Sequence, residues 1–187
     1  GVFRRLLDLP FEPGGPSVWD RMRQTYSALA KLPEGPARDR EAFAFLARLR
    51  AWIAHVDPGP EFRSELRAHL DELGQDGTFG VFVRSDTNVE DLPGFTGAGL
   101  NLTVPNVVGT ANVITALREV WASPFSERSY GWRQNHMEEP EYVFPAVVVQ
   151  RSFPSEKSGV MVTADVDTGR MGWLSIAVNE GVGGAVD

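Results

Sequence analysis

Apolar residues recur at helical spacing through the first third of the chain and at strand spacing further on. Val18, Met22, Tyr26 and Leu29 fall on one stripe, which Ser17 opens and Pro33-Glu34-Gly35-Pro36 closes. Ser17 with Asp20 three residues later is a capping-box start in which Asp stands where Glu or Gln is usual. A second helix is expected from about Asp39 to His55, with Phe43, Leu46, Leu49 and Ile53 on one face. Asp57-Pro58 or Gly59-Pro60 opens a third, carrying Phe62, Leu66, Leu70 and Leu73, and Gly74 closes it. These stripes are core positions, and His69 beside the last one is expected to be packed or on the surface. Ahead of them, Val2, Phe3, Leu6, Leu7 and Leu9 form a short apolar segment, followed by a linker with Pro10, Pro13, Gly14, Gly15 and Pro16.

From Phe79 the period changes. Phe79, Val81 and Val83 alternate as one face of a short strand that delivers Arg84 and Ser85 to its end. Thr110 begins a helix with Val113, Leu117, Val120 and Trp121 inward. Ser123-Pro124 restarts it to about Asn135, placing Phe125 and Trp132 on the packed side. Pro145 to Gln150 is a continuous apolar run, the signature of a strand buried on both faces. Ser158 to Thr163 and Trp173 to Val178 flank the turn Asp167-Thr168-Gly169-Arg170, so a hairpin is expected. The pattern predicts an α+β chain: a helical subdomain over 1–76 with an N-terminal linker, then a mixed or antiparallel sheet with packed helices over 77–187.

Composition narrows the function classes. The 187 residues are 42% hydrophobic, enough for a real core. With Lys+Arg 18 against Asp+Glu 25, a net charge of −7 and no basic stripe, a nucleic-acid surface is not expected. Cys 0 excludes disulfides, thiolate nucleophiles and cysteine zinc sites, and the His 3 (His55, His69, His136) lack metal-ligand spacing. No apolar run reaches the ~18–20 residues of a membrane span and no signal peptide precedes the first helix, which points to a cytoplasmic protein without a membrane partner. The start without Met and the end at Gly-Val-Gly-Gly-Ala-Val-Asp read as a piece of something larger.

The chemistry-bearing stretch is 79–103, FGVFVRSDTNVEDLPGFTGAGLNLT. Arg84 stands at a strand end; the acids Glu90 and Asp91, the turn Pro93-Gly94 and the small-residue loop Thr96-Gly97-Ala98-Gly99 follow. A permanent cation beside a loop without bulk suits an anion such as a triphosphate, because backbone N–H groups can approach its oxygens. Spacing alone equally allows a surface loop whose arginine pairs with Asp86, Glu90 or Asp91. The loop matches neither the Walker nor the dinucleotide pattern.

Val83-Arg84-Ser85 … Glu90-Asp91-Leu92-Pro93-Gly94 … Ala98-Gly99 resembles the VRSS-x-x-x-EDLPG-x-x-x-AG segment of the pyruvate phosphate dikinase/phosphoenolpyruvate synthase ATP-binding domain. That domain is of the ATP-grasp type and occurs also in glucan water dikinases and rifampin phosphotransferases. Ala98-Gly99-Leu100 … Val104-Pro105-Asn106-Val107 looks more like the glucan dikinase form. Val149-Gln150 … Ser155-Glu156 … Ser158-Gly159-Val160 … Thr163-Ala164-Asp165 … Thr168-Gly169 and Asn179 to Val186 resemble two further blocks, and Trp121 to Arg128 a recurring helical segment. Asp86-Thr87, Val166 and Gly184 depart from the family pattern.

The resemblance implies a partial ATP-grasp-type domain with a division of labour. Arg84, beside Ser85, would contact the phosphates and stabilise charge on the transferred group. Gly97, Ala98 and Gly99, with Thr96 and Thr103, would form a lid loop. Backbone groups at Gln150, Arg151 and Ser152 would read the adenine edge, with Val149 and Phe153 lining the slot; Gln150 could equally be a buried amide satisfied by neighbouring backbone. Thr163 and Asp165 would face the nucleotide, although Asp165 is as well suited to cap the 167–170 turn. Glu180 suits a ribose or magnesium-linked role or an edge-strand salt bridge. Implied cofactors are ATP and Mg2+, the metal ligands being expected outside this chain; the implied partner is a phosphohistidine domain of the parent protein. The family's Gly-Gly-Lys segment has no match near residue 1, so the isolated chain is expected to bind nucleotide weakly and to turn nothing over. The alternative is a degenerate, non-catalytic nucleotide-sensing or scaffold module. A carbohydrate role for the tryptophans is disfavoured, since Trp19, Trp52, Trp121 and Trp132 fall on expected helices.

Overall fold

The computed structural model describes residues 1–74, 80–88, 91–92, 95–96, 99–137 and 142–182. Phe79, Glu90, Pro93, Gly94, Gly97, Ala98 and Gly184 lie outside the described residues.

Helix α1 (Val2–Leu6) buries Phe3 and Leu6, and Leu7 follows them inward. The expected linker behind it is instead a packed loop. Phe11 is buried, its N–H donates to the Pro16 carbonyl at 3.0 Å, and Pro10 bridges to Ser17. Helix α2 (Val18–Leu29) starts where expected: Ser17 Oγ accepts the Asp20 N–H at 3.1 Å and donates to its carboxylate at 2.8 Å. Helices α3 (Pro36–His55) and α4 (Pro60–Glu72) each open with a proline at the first turn, where its missing N–H costs nothing. The apolar stripes are core: Val18, Met22, Leu46, Leu49, Ile53 and Leu70 are essentially solvent-free. Truncating any of these leucines, Met22 or Ile53 to alanine costs about 2–5 kcal/mol. His69 is exposed beside Glu72.

Strand β1 (Val81–Thr87) is central, and the short strands β2 (Asp91–Leu92) and β3 (Phe95–Thr96) pair with each other as a separate sheet. After β4 (Thr103–Val107) comes α5 (Thr110–Ala122), burying Val113, Leu117, Val120 and Trp121 as expected. The chain then makes a 3-10 turn over Ser123–Phe125 before α6 (Glu127–His136), capped by Ser126. That turn resets the helical phase, so Phe125 is buried but Trp132 is 44% exposed, stacked on His136. Its expected place on the packed side is therefore corrected.

Strand β5 (Pro145–Arg151) completes an antiparallel three-stranded sheet in the order β4-β1-β5. Helix α5 covers one face, with α3 behind it. The link between layers is partly polar: Arg118 Nε donates to the Val56 carbonyl at 2.9 Å and Arg50 Nη1 to that of Phe125 at 2.6 Å. The other sheet face is open, which overturns burial of β5 on both faces: Ala146, Val148 and Gln150 are exposed. Strands β6 (Lys157–Ala164) and β7 (Met171–Glu180) form the expected hairpin, longer at both ends than the pattern suggested. Gly159 is required there, since a Cβ would lie 2.6 Å from the Ala177 carbonyl oxygen. The chain is thus α+β with small antiparallel sheets, and no helix among the described residues is long and apolar enough to cross a membrane.

Candidate functional site

Strand parity decides which of the singled-out residues meet. In an antiparallel ladder, residues directly opposite each other point to the same face. Thr103 stands opposite Arg84, and Arg84 opposite Val148, with Phe82 opposite Gln150. Arg84, Thr103, Val148 and Gln150 therefore share the open face, flanked by Phe82, Asp86 and Ala146. Arg84 Nη1 donates to Gln150 Oε1 at 3.4 Å, the long end of a hydrogen bond. Among the described residues Arg84 makes no ion pair, although Asp86 lies on the same face two residues on. Of the alternatives open for Arg84, pairing with Asp86 is thus not the one adopted. Gln150 is exposed, not a buried amide.

Ser85, Val149 and Arg151 have the opposite parity. Val149 lines an apolar cavity of about 430 Å³ with Phe62, Leu66, Leu117, Trp121 and Val147, on the helix-covered side. Its side chain and that of Arg84 do not share a face. At the end of β5, Ser152 donates its N–H to the Gly80 carbonyl at 3.0 Å, and its buried Oγ has no hydrogen-bond partner among the described residues. A buried hydroxyl without a partner costs about 1–3 kcal/mol. Phe153 next to it is 68% exposed.

The loop ahead of β4 is tethered downstream of Gly99. Ser129 Oγ donates to the Leu100 carbonyl at 3.0 Å, and Ser123 Oγ accepts the Leu102 N–H at 3.0 Å. The recurring segment from Trp121 to Arg128 thereby gains a reason beyond helix packing: its serine holds the backbone at Leu102. Arg128 itself is exposed. The signal for Ser123 lay in the motif; nothing in the periodicity marked Ser129 or the buried Arg133. Thr96 is described only as the β3 partner of Asp91.

Thr163, Asp165 and Glu180 stand on the hairpin, a sheet separate from that of Arg84. Asp165 Oδ1 accepts the N–H groups of Thr168 at 2.9 Å and Asp167 at 3.0 Å, so its carboxylate caps the turn. The bonds from Thr168 and then Asp167 hold it below the usual carboxylate range. Glu180 faces Lys157 across the strands and is exposed. Met161, Leu174, Ile176 and Val178 on that face are each about 60% exposed.

The open face offers a polyanion a guanidinium fork, an amide and a hydroxyl, with the carboxylate of Asp86 beside them. It does not gather a magnesium donor set, since Asp86 is its one described carboxylate, and no cluster of three or more metal-ligating side chains occurs among the described residues.

Residues 28–187 match the family model for the pyruvate phosphate dikinase AMP/ATP-binding domain. A rifampicin phosphotransferase from Streptomyces sp is 33% identical over 186 residues, 99% of this chain and 20% of that protein. A phosphoenolpyruvate synthase from Pyrococcus furiosus is 34% identical over 143 residues, 74% of this chain and 17% of that protein. A rifampicin phosphotransferase from Bacillus subtilis is 30% identical over 149 residues, 79% of this chain and 17% of that protein. The chain spans about a fifth of the length of these relatives. Matched by the family model over residues 28–187, the chain belongs to the pyruvate phosphate dikinase AMP/ATP-binding domain family.

Proposed function

We propose that this chain is the nucleotide-binding part of an ATP-grasp-type, dikinase-class phosphotransferase, with a helical subdomain over 1–76 and the nucleotide-binding portion over 77–187. The observation that carries it is the convergence of Arg84, Gln150 and Thr103 on the open face of the β4-β1-β5 sheet. Arg84 holds the phosphates and offsets charge that develops on the transferred group; its role is electrostatic and forms no covalent bond. Backbone groups at Gln150 to Ser152 meet the base, and the loop through Gly99, tied down at Leu100 and Leu102, closes over the phosphates. Magnesium, held by carboxylates elsewhere in the parent protein, would supply the remaining charge neutralisation. The parent would pass a phosphoryl group from ATP to a histidine of another domain, releasing AMP, and from there to an acceptor. The relatives' names put phosphoenolpyruvate synthesis and rifampicin phosphorylation within the chemistry of such parents, and the Leu100 and Val104-Pro105-Asn106-Val107 run adds a glucan.

Calorimetric titration with Mg-ATP and Mg-ADP tests this, wild type beside Arg84→Ala. Binding that weakens tenfold or more, about 1.4 kcal/mol, is expected. Silence from this chain but binding by the full-length protein assigns the missing affinity to the lysine and metal segments. Silence from both, with no AMP formed, selects the second reading, a non-catalytic scaffold, for which Asp86 beside Arg84 is the specific motive.

A further inference from the structure

The register of β5 is held from outside the sheet. Pro145, its first residue, has no N–H to give the ladder. The next residue outward, Phe144, gives its N–H to Asn88 Oδ1 at 2.7 Å, while Asn88 Nδ2 donates to the Tyr142 carbonyl at 2.9 Å. Asn88 is the residue just past the end of β1, so one side-chain amide continues the β1–β5 pairing where the main chain cannot. Trp19 of α2 stacks on Phe144, ring centroids 5.6 Å apart at 29°, and meets Tyr142 edge-on at 5.5 Å. The Arg4 guanidinium lies over the same indole at 5.1 Å. The entrance to β5 is thus gripped by an amide on one side and an aromatic platform on the other.

Register is what separates Gln150 from Val149. A slip of one residue would carry Gln150 to the helix-covered face and bring Val149 up beside Arg84. The bulge between β1 and β4 does not bear on this, because β4 lies on the other side of β1. β5 itself is weakly specified by its own side chains, since Val147, Val148 and Val149 are interchangeable in type.

We infer that Asn88 is a positioning residue for the nucleotide site: its amide, backed by Trp19, fixes the register of β5 and so places Gln150 to Ser152 for the base while Arg84 on β1 holds the phosphates. The inference rests on the nucleotide reading above and adds a residue to it.

The test uses the full-length protein as wild type, Asn88→Ala, Asn88→Asp and Arg84→Ala. Each is titrated with Mg-ATP and with inorganic tripolyphosphate, and hydrogen exchange is followed across 142–151. Asn88→Ala is expected to lose protection from Phe144 to Gln150 and to bind ATP at least tenfold more weakly, with tripolyphosphate affinity within twofold of wild type. Asn88→Asp keeps the acceptor for Phe144 but not the donor for Tyr142. It should retain protection at Phe144 and weaken ATP binding less; it carries the test if the alanine variant does not fold. An alanine variant that binds ATP as wild type does overturns the inference, and so does one that loses ATP and tripolyphosphate equally. If neither wild type nor Arg84→Ala binds ATP, the nucleotide reading fails. Unchanged exchange across 144–150 in Asn88→Ala would then discard the clamp as well.

Discussion

Asn106 Oδ1 accepts the backbone N–H of Gly80 at 2.9 Å, joining the bulge of β4 to the start of β1. Asn106 has φ 50, a left-handed conformation that asparagine tolerates better than most residues. Gly80 is equally constrained, because a Cβ there would lie 2.1 Å from the Val107 carbonyl oxygen. Gly80→Ala is therefore expected to cost about 3 kcal/mol or more by forcing β1 and β4 apart. Asn106→Gly keeps the backbone angle and should lose about 1 kcal/mol with the hydrogen bond, while Asn106→Ala loses about 1–2 kcal/mol. Chemical denaturation midpoints of the three variants check the order.

Asp86 lies on the open face two residues beyond Arg84, where the resemblance calls for a small residue. Two strand residues at that spacing are ~7 Å apart, so the carboxylate opposes an arriving phosphate by about 0.6 kcal/mol at the dielectric of water. Asp86→Asn is expected to tighten Mg-ATP binding two- to threefold at low salt, with the gain shrinking as ionic strength rises. Titration at two salt concentrations reads both effects. A weakened affinity would give Asp86 a role in holding the nucleotide or its metal.

Helix stripes and the hairpin were legible because each signal is local: Met22 or Leu49 reports its own face through its neighbours' spacing. The run from Pro145 to Gln150 was not, since an apolar strand reads the same whether its second face is covered or open. Here that face carries Arg84, Val148 and Gln150. Trp132 failed for another reason. The 3-10 turn at Ser123–Phe125 ends at the extended Ser126, which caps a new helix, so periodicity carried across the break points the wrong way. The motif named Arg84, Thr103 and Gln150 one by one, but only register shows that they face the same side and that Val149 does not. Asn88, Ser129 and Arg133 act through long-range contacts to backbone carbonyls or amides, which leave no periodic trace.

Asp165 carries a pH dependence. Its carboxylate accepts N–H bonds from Thr168 and Asp167 and titrates below its usual range. A lowered folded-state pKa gives a contribution that is present above the unfolded carboxylate value of about 3.9 and is lost as pH falls below it. Exchange protection of the Asp167 and Thr168 amides should therefore drop below about pH 4 while β1 stays protected. In Asp165→Asn the turn persists and this pH step disappears. A tenfold loss of ATP affinity in that variant would mean that the carboxylate faces nucleotide instead.

Arg133 connects stability to the loop. It is 3% exposed, donates to the Pro124 carbonyl, and feels the hydroxyls of Tyr26 and Tyr130, whose rings stack on each other at 6.2 Å. Burial pulls its pKa below the ordinary arginine value and the tyrosines offset part of this. Truncation leaves the Pro124 carbonyl without its buried donor and empties a buried volume beside the tyrosines, so Arg133→Ala is expected to lose about 3 kcal/mol. Arg133→Met refills the volume and should lose about half of that. The more telling readout is remote. The Pro124 turn and α6 carry Ser123 and Ser129, which hold Leu102 and Leu100. Loosening that junction should raise the exchange rate of the Leu102 amide severalfold in Arg133→Met while the Val83 amide, shielded in the middle of the sheet, keeps its protection. Equal acceleration at both would mean that Arg133 supports the whole domain and not the loop.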